Sequence, residues 1–423
     1  MLTAVSSIIG RFVSAQWVGR QGTYSVRTTL DIQLSNRANS IKSSPTLAVT
    51  NRAAELRAAG KDIIGLGAGE PDFDTPDHIK AAAIEAIKKG FTKYTAVDGT
   101  PSLKKAIIAK FARENGLNYQ ANQILVSCGG KQSFFNLCLA LLNPGDEVII
   151  PAPYWVSYPD IVIVAEGLPV IIEADSDQKF KISPAQLEKA ITPKTRLFVI
   201  NSPSNPSGMA YTQQELEALA AVLLKHPQVL VATDDMYEHI FWAPGGFHNI
   251  LTVCPALYDR CIVLNGVSKA YSMTGWRIGY AAGPQKLIAA MTKIQSQSTS
   301  NPTSISQVAA EAALNGPLDE VQTMVKAFKE RHDYVMATLN DIKGVSCLPG
   351  DGTFYAFADF REAIKATPNV KDDIELAELL LMQGGVALVP GSAFGLEGYE
   401  RISFATNMRT LEEALKRIKK VLG

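Results

Sequence analysis

The spacing of hydrophobic and polar positions predicts alternating helices and short strands over most of the chain. Helices that begin at a proline and end before a glycine are predicted at 76–89 and 101–115. Short apolar runs predict seven strands, at 124–127, 147–150, 170–173, 196–200, 230–232, 261–264 and 278–281. Further helices are predicted between most of them, at 131–142, 212–225 and 285–294. This alternation favours a large α/β domain with a mostly parallel sheet between helices.

After about residue 313 the pattern changes. A long polar helix is predicted at 318–340, and it is followed by strands near 354–358, 386–389 and 401–404 and by a terminal helix. This order predicts a smaller α+β domain, joined by the segment before Pro76. We therefore divide the chain into an N-terminal extension (1–30), an N-terminal segment of the small domain (31–76), a large domain (77–313) and a C-terminal small domain (314–423).

Residues 1–30 allow two interpretations. They contain Arg11, Arg20 and Arg27, many hydroxyl side chains and no acidic residue, which is typical of an organellar transit peptide. The alternative is an over-called start, because regular helix patterning begins only after Asp31 and an alternative bacterial start codon could encode Leu30. We expect the over-called start and a cytoplasmic protein, whereas a transit peptide would direct the chain to mitochondria or plastids.

Composition excludes several functional classes. The 423 residues are 47% hydrophobic and 19% charged, which is typical of a globular protein rather than a disordered one. Lys plus Arg (41) equals Asp plus Glu (41), so charge gives no reason to expect nucleic acid or anionic lipid as a partner. Apolar stretches such as 161–165 are far shorter than the roughly 18 residues of a membrane span. An enzyme acting on small molecules is the expectation that remains.

Cysteine and histidine spacing gives no sign of a metal site. The five cysteines contain no CxxC pair, and the five histidines contain no HxxxH or HExxH pair. We therefore expect no metal, no disulfide framework and a reducing compartment.

Two glycine-rich segments are candidates for anion binding. Gly129 and Gly130 follow the first strand and open a helix, which would present backbone N–H groups to a phosphate; a plain glycine turn is the alternative. Their spacing is not that of a nucleotide P-loop. The segment 65–69 resembles a dinucleotide fingerprint, but Glu70 and Pro71 follow where the helix of that motif should begin.

Polar residues also follow two other predicted strands. Asn205 lies in a proline-rich turn after 196–200, and Asp234 and Tyr237 come after 230–232. Ligands bind at the carboxyl edge of parallel sheets, so these residues are candidates for a site. An ordinary turn and surface helix caps are equally compatible with the local sequence.

The most specific signal is the segment 265–279, in which Lys269 follows a strand between small residues and Arg277 follows eight residues later. This is the context of an amine nucleophile beside a phosphate-binding guanidinium. Residues 266–279 match the lysine-attachment pattern throughout, and from about Asp31 to Gly423 the chain resembles class I aminotransferases of pyridoxal-phosphate fold type I. The resemblance implies a large domain with a mostly parallel sheet, a smaller α+β domain, and pyridoxal 5′-phosphate as cofactor.

The resemblance also implies roles for individual residues. Lys269 matches the lysine that binds the cofactor covalently and carries the proton during catalysis. The other cofactor contacts would be Asp234 at the pyridine nitrogen, Asn205 and Tyr237 at the phenolic oxygen, Trp155 on the ring face, and Gly130, Lys131, Ser268 and Arg277 at the phosphate. Tyr94 matches a tyrosine that reaches the phosphate from the partner subunit, which implies a homodimer.

Substrate contacts follow from the same resemblance. Arg401 matches the arginine that binds the substrate α-carboxylate, and Gly69 lies over the same group, with Trp155 and Asn205 also in contact; from the local sequence, Arg401 could also be ordinary surface charge. Animal-type aspartate aminotransferases bind the distal carboxylate with a second arginine, but 291–315 contains none. The chain most resembles the bacterial type Ib subgroup, in which a lysine at the position of Lys131 takes that role.

The implied activity is transfer of an amino group from L-aspartate to 2-oxoglutarate, giving oxaloacetate and L-glutamate. Members of this subgroup can also use prephenate, and Thr46 with Lys131 matches the positions where dual activity is seen. Another class I aminotransferase activity is a further alternative. A regulator of transcription that binds the same cofactor would need an N-terminal DNA-binding domain, which the 30 residues before the fold cannot supply.

Overall fold

A seven-stranded sheet is the central element of the computed structural model, which describes residues 32–43 and 45–423. Its strands are β2 Ile124–Ser127, β3 Glu147–Ala152, β4 Leu168–Glu173, β5 Thr195–Asn201, β6 Leu230–Asp234, β7 Cys261–Gly266 and β8 Gly279–Ala282. Their order is β2-β8-β7-β6-β5-β3-β4, and only β8 runs antiparallel to its neighbours. All seven predicted strands are confirmed, and so is the mostly parallel sheet. The carboxyl ends of the other six strands share one edge.

Helices cover both faces of this sheet. They are α3 Asp77–Lys88, α4 Pro101–Lys110, α5 Gly130–Leu141, α6 Ser157–Val164, α7 Pro184–Ala190, α8 Gln213–Lys225, α9 Ile250–Val253, α10 Gln285–Ser296 and α11 Ser304–Asn315. Neighbouring residues of a strand enter different buried clusters: Ile149 lies in one, and Val148 and Ile150 lie in the other. This alternation explains the nearly continuous apolar strands, because a sheet covered on both faces buries the side chains of both faces along its inner strands.

The remaining strands form two small sheets. β9 Tyr355–Asp359, β11 Val389–Pro390 and β12 Tyr399–Ser403 are antiparallel in the order β11-β12-β9, and β1 Ile64–Gly65 pairs parallel with β10 Val386–Ala387. The associated helices are α1 Asn36–Ser40, α2 Pro45–Ala58, α12 Asp319–Leu339, α13 Arg361–Ala366, α14 Asp373–Leu379 and α15 Met408–Leu422. The β1–β10 pairing agrees with an N-terminal segment that joins the C-terminal part. The domain boundaries stay a prediction, and residues 1–30 lie outside the described residues.

One predicted strand is wrong as a continuous element. The apolar run 386–389 divides at Leu388: β10 pairs with β1, whereas β11 pairs with β12 in a different sheet. A hydrophobic run shows burial but not which partner strand lies beside each residue, so the change of sheet is invisible in the sequence. The third predicted strand of this region, 401–404, begins two residues earlier, at Tyr399.

Helix ends follow the local signals. The predicted helix 101–115 is α4 followed by a π-helical turn, Phe111–Asn115, and Gly116 ends it in the left-handed conformation at φ 65°. α8 begins with a capping box between Thr212 and Glu215. Among the described helices, none combines the length and the apolar character that a membrane crossing requires.

Candidate functional site

A cavity of about 440 Å³ opens where the carboxyl ends of the central strands meet the small sheets. Eleven of the twelve residues predicted for the site line it: Gly69, Gly130, Lys131, Trp155, Asn205, Asp234, Tyr237, Ser268, Lys269, Arg277 and Arg401. Thr46 lines it as well. Tyr94 does not, and its side chain is 93% exposed on the single chain. Segments that are distant in sequence therefore converge on one site.

Lys269 follows β7 and donates a hydrogen bond to the backbone carbonyl of Gly69. Burial lowers the pKa of this lysine to about 8, with smaller contributions from Arg401 and Arg277, while Glu70 and Asp234 oppose the shift. An amine with this pKa is about one-quarter neutral at pH 7.5, far more than an ordinary lysine. The neutral form is the nucleophile, so Lys269 is suited to attack a carbonyl group.

The segment that carries Gly69 is hydrogen-bonded to the loop that carries Lys269. Thr75 Oγ1 donates to the backbone carbonyl of Ser272 at 2.7 Å, and Trp276 Nε1 donates to Thr75 Oγ1 at 3.0 Å. Thr274 Oγ1 donates to Glu70 at 2.8 Å. These contacts hold two sides of the cavity at a defined separation.

Asp234 is the last residue of β6, and its carboxylate faces the cavity. Tyr158 Oη donates to Asp234 Oδ2 at 2.5 Å, and the Met236 N–H donates to Oδ1 at 3.3 Å. Burial raises the pKa of Asp234, and the hydrogen bond from Tyr158 opposes that rise. Tyr158 therefore favours the ionised carboxylate that a protonated ring nitrogen requires.

The sequence interpretation missed Tyr158. Its ring packs edge-on against Trp155 with centroids 5.2 Å apart, so it contacts two of the predicted cofactor residues. Its place in α6, one turn after Trp155, is a local signal, but nothing in the sequence shows that this turn faces Asp234.

The start of α5 has the features of a phosphate site. Gly129 adopts φ 88°, a conformation that favours glycine, and no side chain caps the helix N-terminus, whose N–H groups are left to bind an anion. Arg277 lies against it: Nη2 donates to the Cys128 carbonyl at 3.2 Å, and Nη1 donates to the Thr274 carbonyl at 2.9 Å. Ser268 and Lys131 line the same cavity. This donor set fits the phosphate of pyridoxal phosphate.

Arg401 is a buried cation without an anionic partner. It is 2% exposed, so the alternative of ordinary surface charge is wrong. Nη1 donates to Asn205 Oδ1 at 3.0 Å and Nη2 donates to the Gly67 carbonyl at 2.7 Å, while Nε has no hydrogen-bond partner. Arg401 forms no ion pair with any carboxylate of residues 32–43 and 45–423. A buried guanidinium in this state favours binding of a ligand carboxylate.

Two aromatic rings hold the guanidinium of Arg401. It lies 4.5 Å from the ring centroid of Tyr355 and 4.9 Å from that of Phe394. The Tyr355 and Tyr237 hydroxyl oxygens are 3.2 Å apart, which connects Arg401 to a predicted cofactor residue. The sequence interpretation missed Tyr355, because a strand pattern gives alternate faces but not which face meets a distant site.

Lys131 lies on the cavity wall with Nζ 5.2 Å from the ring centroid of Trp155. Burial lowers its pKa, and Arg277 adds to the effect. No ion pair joins Lys131 to a carboxylate in the described part of the chain. The cavity therefore holds a second cation that can bind a carboxylate.

Comparison with known proteins identifies relatives over nearly the whole chain. Residues 61–418 match the family "aminotransferase class I and II". The chain is 63% identical over 397 residues to the aspartate/prephenate aminotransferase of Nitrosomonas europaea, covering 93% of this chain and 100% of that protein. It is 56% identical over 389 residues to the protein of the same name from Cereibacter sphaeroides, covering 91% and 97% of the two chains.

Solved structures of aspartate aminotransferases have the same fold as this chain. The aspartate aminotransferase of Rhizobium meliloti superposes with a TM-score of 0.90 at 50% identity, covering 92% of this chain and 99% of the other. The Thermus thermophilus aspartate aminotransferase with maleate has a TM-score of 0.86 at 41% identity, covering 92% and 100%.

Proposed function

The chain belongs to the class I and II aminotransferases, and on that premise we propose that it transfers the amino group of L-aspartate to 2-oxoglutarate with pyridoxal 5′-phosphate as cofactor. The products are oxaloacetate and L-glutamate. One observation carries this proposal: a single cavity holds the Lys269 amine, whose pKa is lowered, and the buried Arg401, which has no anionic partner. An amine nucleophile beside a carboxylate receptor is what an amino acid substrate requires.

The residues of the cavity fit this cofactor. Pyridoxal phosphate supplies a reactive aldehyde and a ring that accepts the electrons left on the substrate α-carbon. Its phosphate would be held by Ser268, Arg277, Gly130 and Lys131. Asp234 would bind the ring nitrogen, Asn205 and Tyr237 the phenolic oxygen, and Trp155 the ring face.

Lys269 and Arg401 have different roles in the proposed reaction. Arg401 binds the α-carboxylate, with Gly69 beside it, and thereby orients the bond from the α-carbon to its hydrogen. Lys269 Nζ would hold the cofactor at rest, and as a free amine it would remove the proton from the α-carbon of the substrate. Its pKa of about 8 keeps a useful fraction of this base neutral near pH 7.5.

Both relatives are named aspartate/prephenate aminotransferases, so prephenate as a second substrate is the alternative. Thr46 and Lys131 both line the cavity, as the dual-activity assignment requires. The test is a panel of amino donors and acceptors that includes aspartate, alanine, 2-oxoglutarate and prephenate, with kcat/KM measured for each. Transamination of aspartate with 2-oxoglutarate supports the proposal, and prephenate turnover adds the second activity. Failure to turn over aspartate contradicts the proposal.

Lys131→Ala should reduce the specificity for dicarboxylates. A buried carboxylate left without its cation costs about 2–4 kcal/mol, so kcat/KM for aspartate should fall roughly 30- to 1000-fold. Alanine, which has no distal carboxylate, should lose much less. Steady-state kinetics with both substrates measures the difference, and Lys286→Ala on the exposed side of α10 is the control variant. Equal losses for both substrates would assign Lys131 to the cofactor alone.

We further infer a homodimer. Tyr94 is 93% exposed and would reach the phosphate of the partner subunit, and Ile84, Ile87 and Phe91 nearby also expose apolar surface. Sedimentation velocity at micromolar concentration tests this, and a monomer would contradict it. The regulator alternative loses support, because the chain covers the full length of a relative named as an aminotransferase.

We place the reaction in the cytoplasm. All five cysteines are free thiols, which fits a reducing compartment. A reporter fused to the full-length chain tests this, and import into mitochondria or plastids would support the transit-peptide interpretation of residues 1–30 instead.

A further inference from the structure

Glu400 and Asp373 are buried carboxyl groups that the proposed reaction does not use. Both residues are 0% exposed. Neither side-chain oxygen of Glu400 has a hydrogen-bond partner, and Oδ1 of Asp373 has none either. Asp373 Oδ2 accepts a hydrogen bond from the Ser392 N–H at 2.6 Å. An unpartnered carboxyl in the protein interior is costly in its charged form, so these atoms call for an explanation.

The charged groups around Glu400 do not neutralise it. Burial, together with the negative charge of Asp373 on α14, holds the pKa of Glu400 well above its usual range. The strand neighbours of Glu400 are Ala358 on β9 and Pro390 on β11, which carry no charge. No described lysine, arginine or histidine forms an ion pair with either acid.

We propose that Glu400 stays protonated in the folded protein and donates a hydrogen bond to Asp373 Oδ1, and that this acid pair positions Arg401. A carboxyl–carboxylate bond satisfies the free oxygen of Asp373 and removes one buried charge. The geometry supports this pairing, because α14 packs against β12 and both acids are fully buried. Pro390, the strand partner of Glu400, lies two residues before Ser392, whose N–H binds Asp373. Glu400 is then a positioning residue that acts through its neighbour.

Two connections carry the effect of the acid pair to Arg401. The first is covalent, since Glu400 precedes Arg401 on β12 and their side chains leave opposite faces of the strand. The second runs through the turn Gly391–Phe394: Ser392 binds Asp373, and the ring of Phe394 lies 4.9 Å from the Arg401 guanidinium. Disturbing the pair therefore moves two supports of the carboxylate-binding arginine.

The first test compares the stability of wild type and Glu400→Gln as pH changes, with saturating cofactor present. A group protonated in the folded state and ionised in the unfolded state makes the folded state less stable as pH rises, and glutamine does not titrate. The melting temperature of Glu400→Gln minus that of wild type should be roughly 5 °C larger at pH 8 than at pH 5.5. Glu378→Gln, an exposed site on α14, should show no such trend. A constant difference for Glu400→Gln would overturn the proposal.

An infrared measurement on wild type keeps the test independent of how well the variant folds. The carbonyl stretch of a protonated carboxylic acid should persist at pH 8, and its absence would overturn the proposal. Because burial also raises the pKa of Asp235 to about 8, the band is assigned by difference. A folded Glu400→Gln protein should show a smaller band at pH 8 than wild type, and equal bands would overturn the proposal.

A third test, the pH dependence of KM for aspartate, rests on the proposed function. Between pH 7 and 9.5 the KM of wild type for aspartate should rise more than that of Glu400→Gln by about threefold, with a smaller difference in kcat, because the pair supports substrate binding rather than proton transfer. Identical KM profiles would overturn the positioning role. Absence of transamination in wild type would contradict the proposed function instead, and the stability and infrared measurements would still test the acid pair.

Discussion

Lys269→Ala should abolish the visible absorbance of bound pyridoxal phosphate and lower kcat/KM for aspartate by several orders of magnitude. In the proposed reaction the side chain supplies both the amine that holds the cofactor and the base that removes the α-proton, so one substitution removes two functions. The surroundings of Lys269 favour both functions, because burial lowers its pKa to about 8 and the Gly69 carbonyl orients the amine. Absorbance spectra and steady-state kinetics with aspartate and 2-oxoglutarate measure the two effects.

The loss of activity in Lys269→Ala can be interpreted only if the variant is folded. Circular dichroism and the melting temperature of the cofactor-free variant should stay close to those of cofactor-free wild type, because removing a buried amine also removes its desolvation cost. Equilibrium dialysis then shows whether the cofactor still binds without the covalent link. Near-full activity of a folded Lys269→Ala protein would contradict the assignment of this lysine.

Asp234→Ala should bind the cofactor but lose at least about a hundredfold in kcat. Without the buried carboxylate the ring nitrogen is not held protonated, and the ring withdraws electrons poorly. Asp235 cannot take over in this geometry, because its carboxylate accepts hydrogen bonds from Thr233 and Asn249 and does not line the cavity. The structure therefore predicts a large effect for Asp234 alone, and a loss under about threefold would contradict its role.

Tyr158→Phe provides a graded comparison for Asp234. It removes only the hydroxyl that donates to Asp234 Oδ2 and keeps the ring that packs against Trp155. The loss in kcat should be smaller than that of Asp234→Ala, because the carboxylate remains. Tyr119→Phe is a matched control, since the Tyr119 hydroxyl is buried without a partner in the described part of the chain.

Local signals were sufficient for most of the secondary structure. The strands of the central sheet were predictable because each is a short apolar run bounded by turn residues, and burial on both faces makes that signal strong. The prediction of one continuous strand at 386–389 was wrong, because an apolar run indicates burial but does not reveal that Leu388 separates two sheets. Helix starts and ends were predictable wherever a proline, a capping side chain or a glycine marked them.

The site residues fall into two groups. Lys269 and Arg277 lie in one continuous motif, and Gly130, Asn205 and Asp234 lie at or just after the carboxyl ends of strands that meet at one edge. Tyr158, Tyr355 and the pair of Glu400 with Asp373 give no comparable signal, because their partners are distant in sequence. Contacts of this kind depend on how helices and sheets pack, which local patterns do not encode.

The sequence by itself determined the α/β class, the order of strands and helices along the chain, and the family, because periodicity and a continuous lysine motif are properties of neighbouring residues. Tertiary structure alone decided the electrostatic state of the site. Burial lowers the pKa of Lys269 and leaves Arg401 without an anion, and both effects arise from the low-dielectric surroundings that distant segments create together. The sequence shows which side chains are charged, but their exposure to water depends on the folded structure.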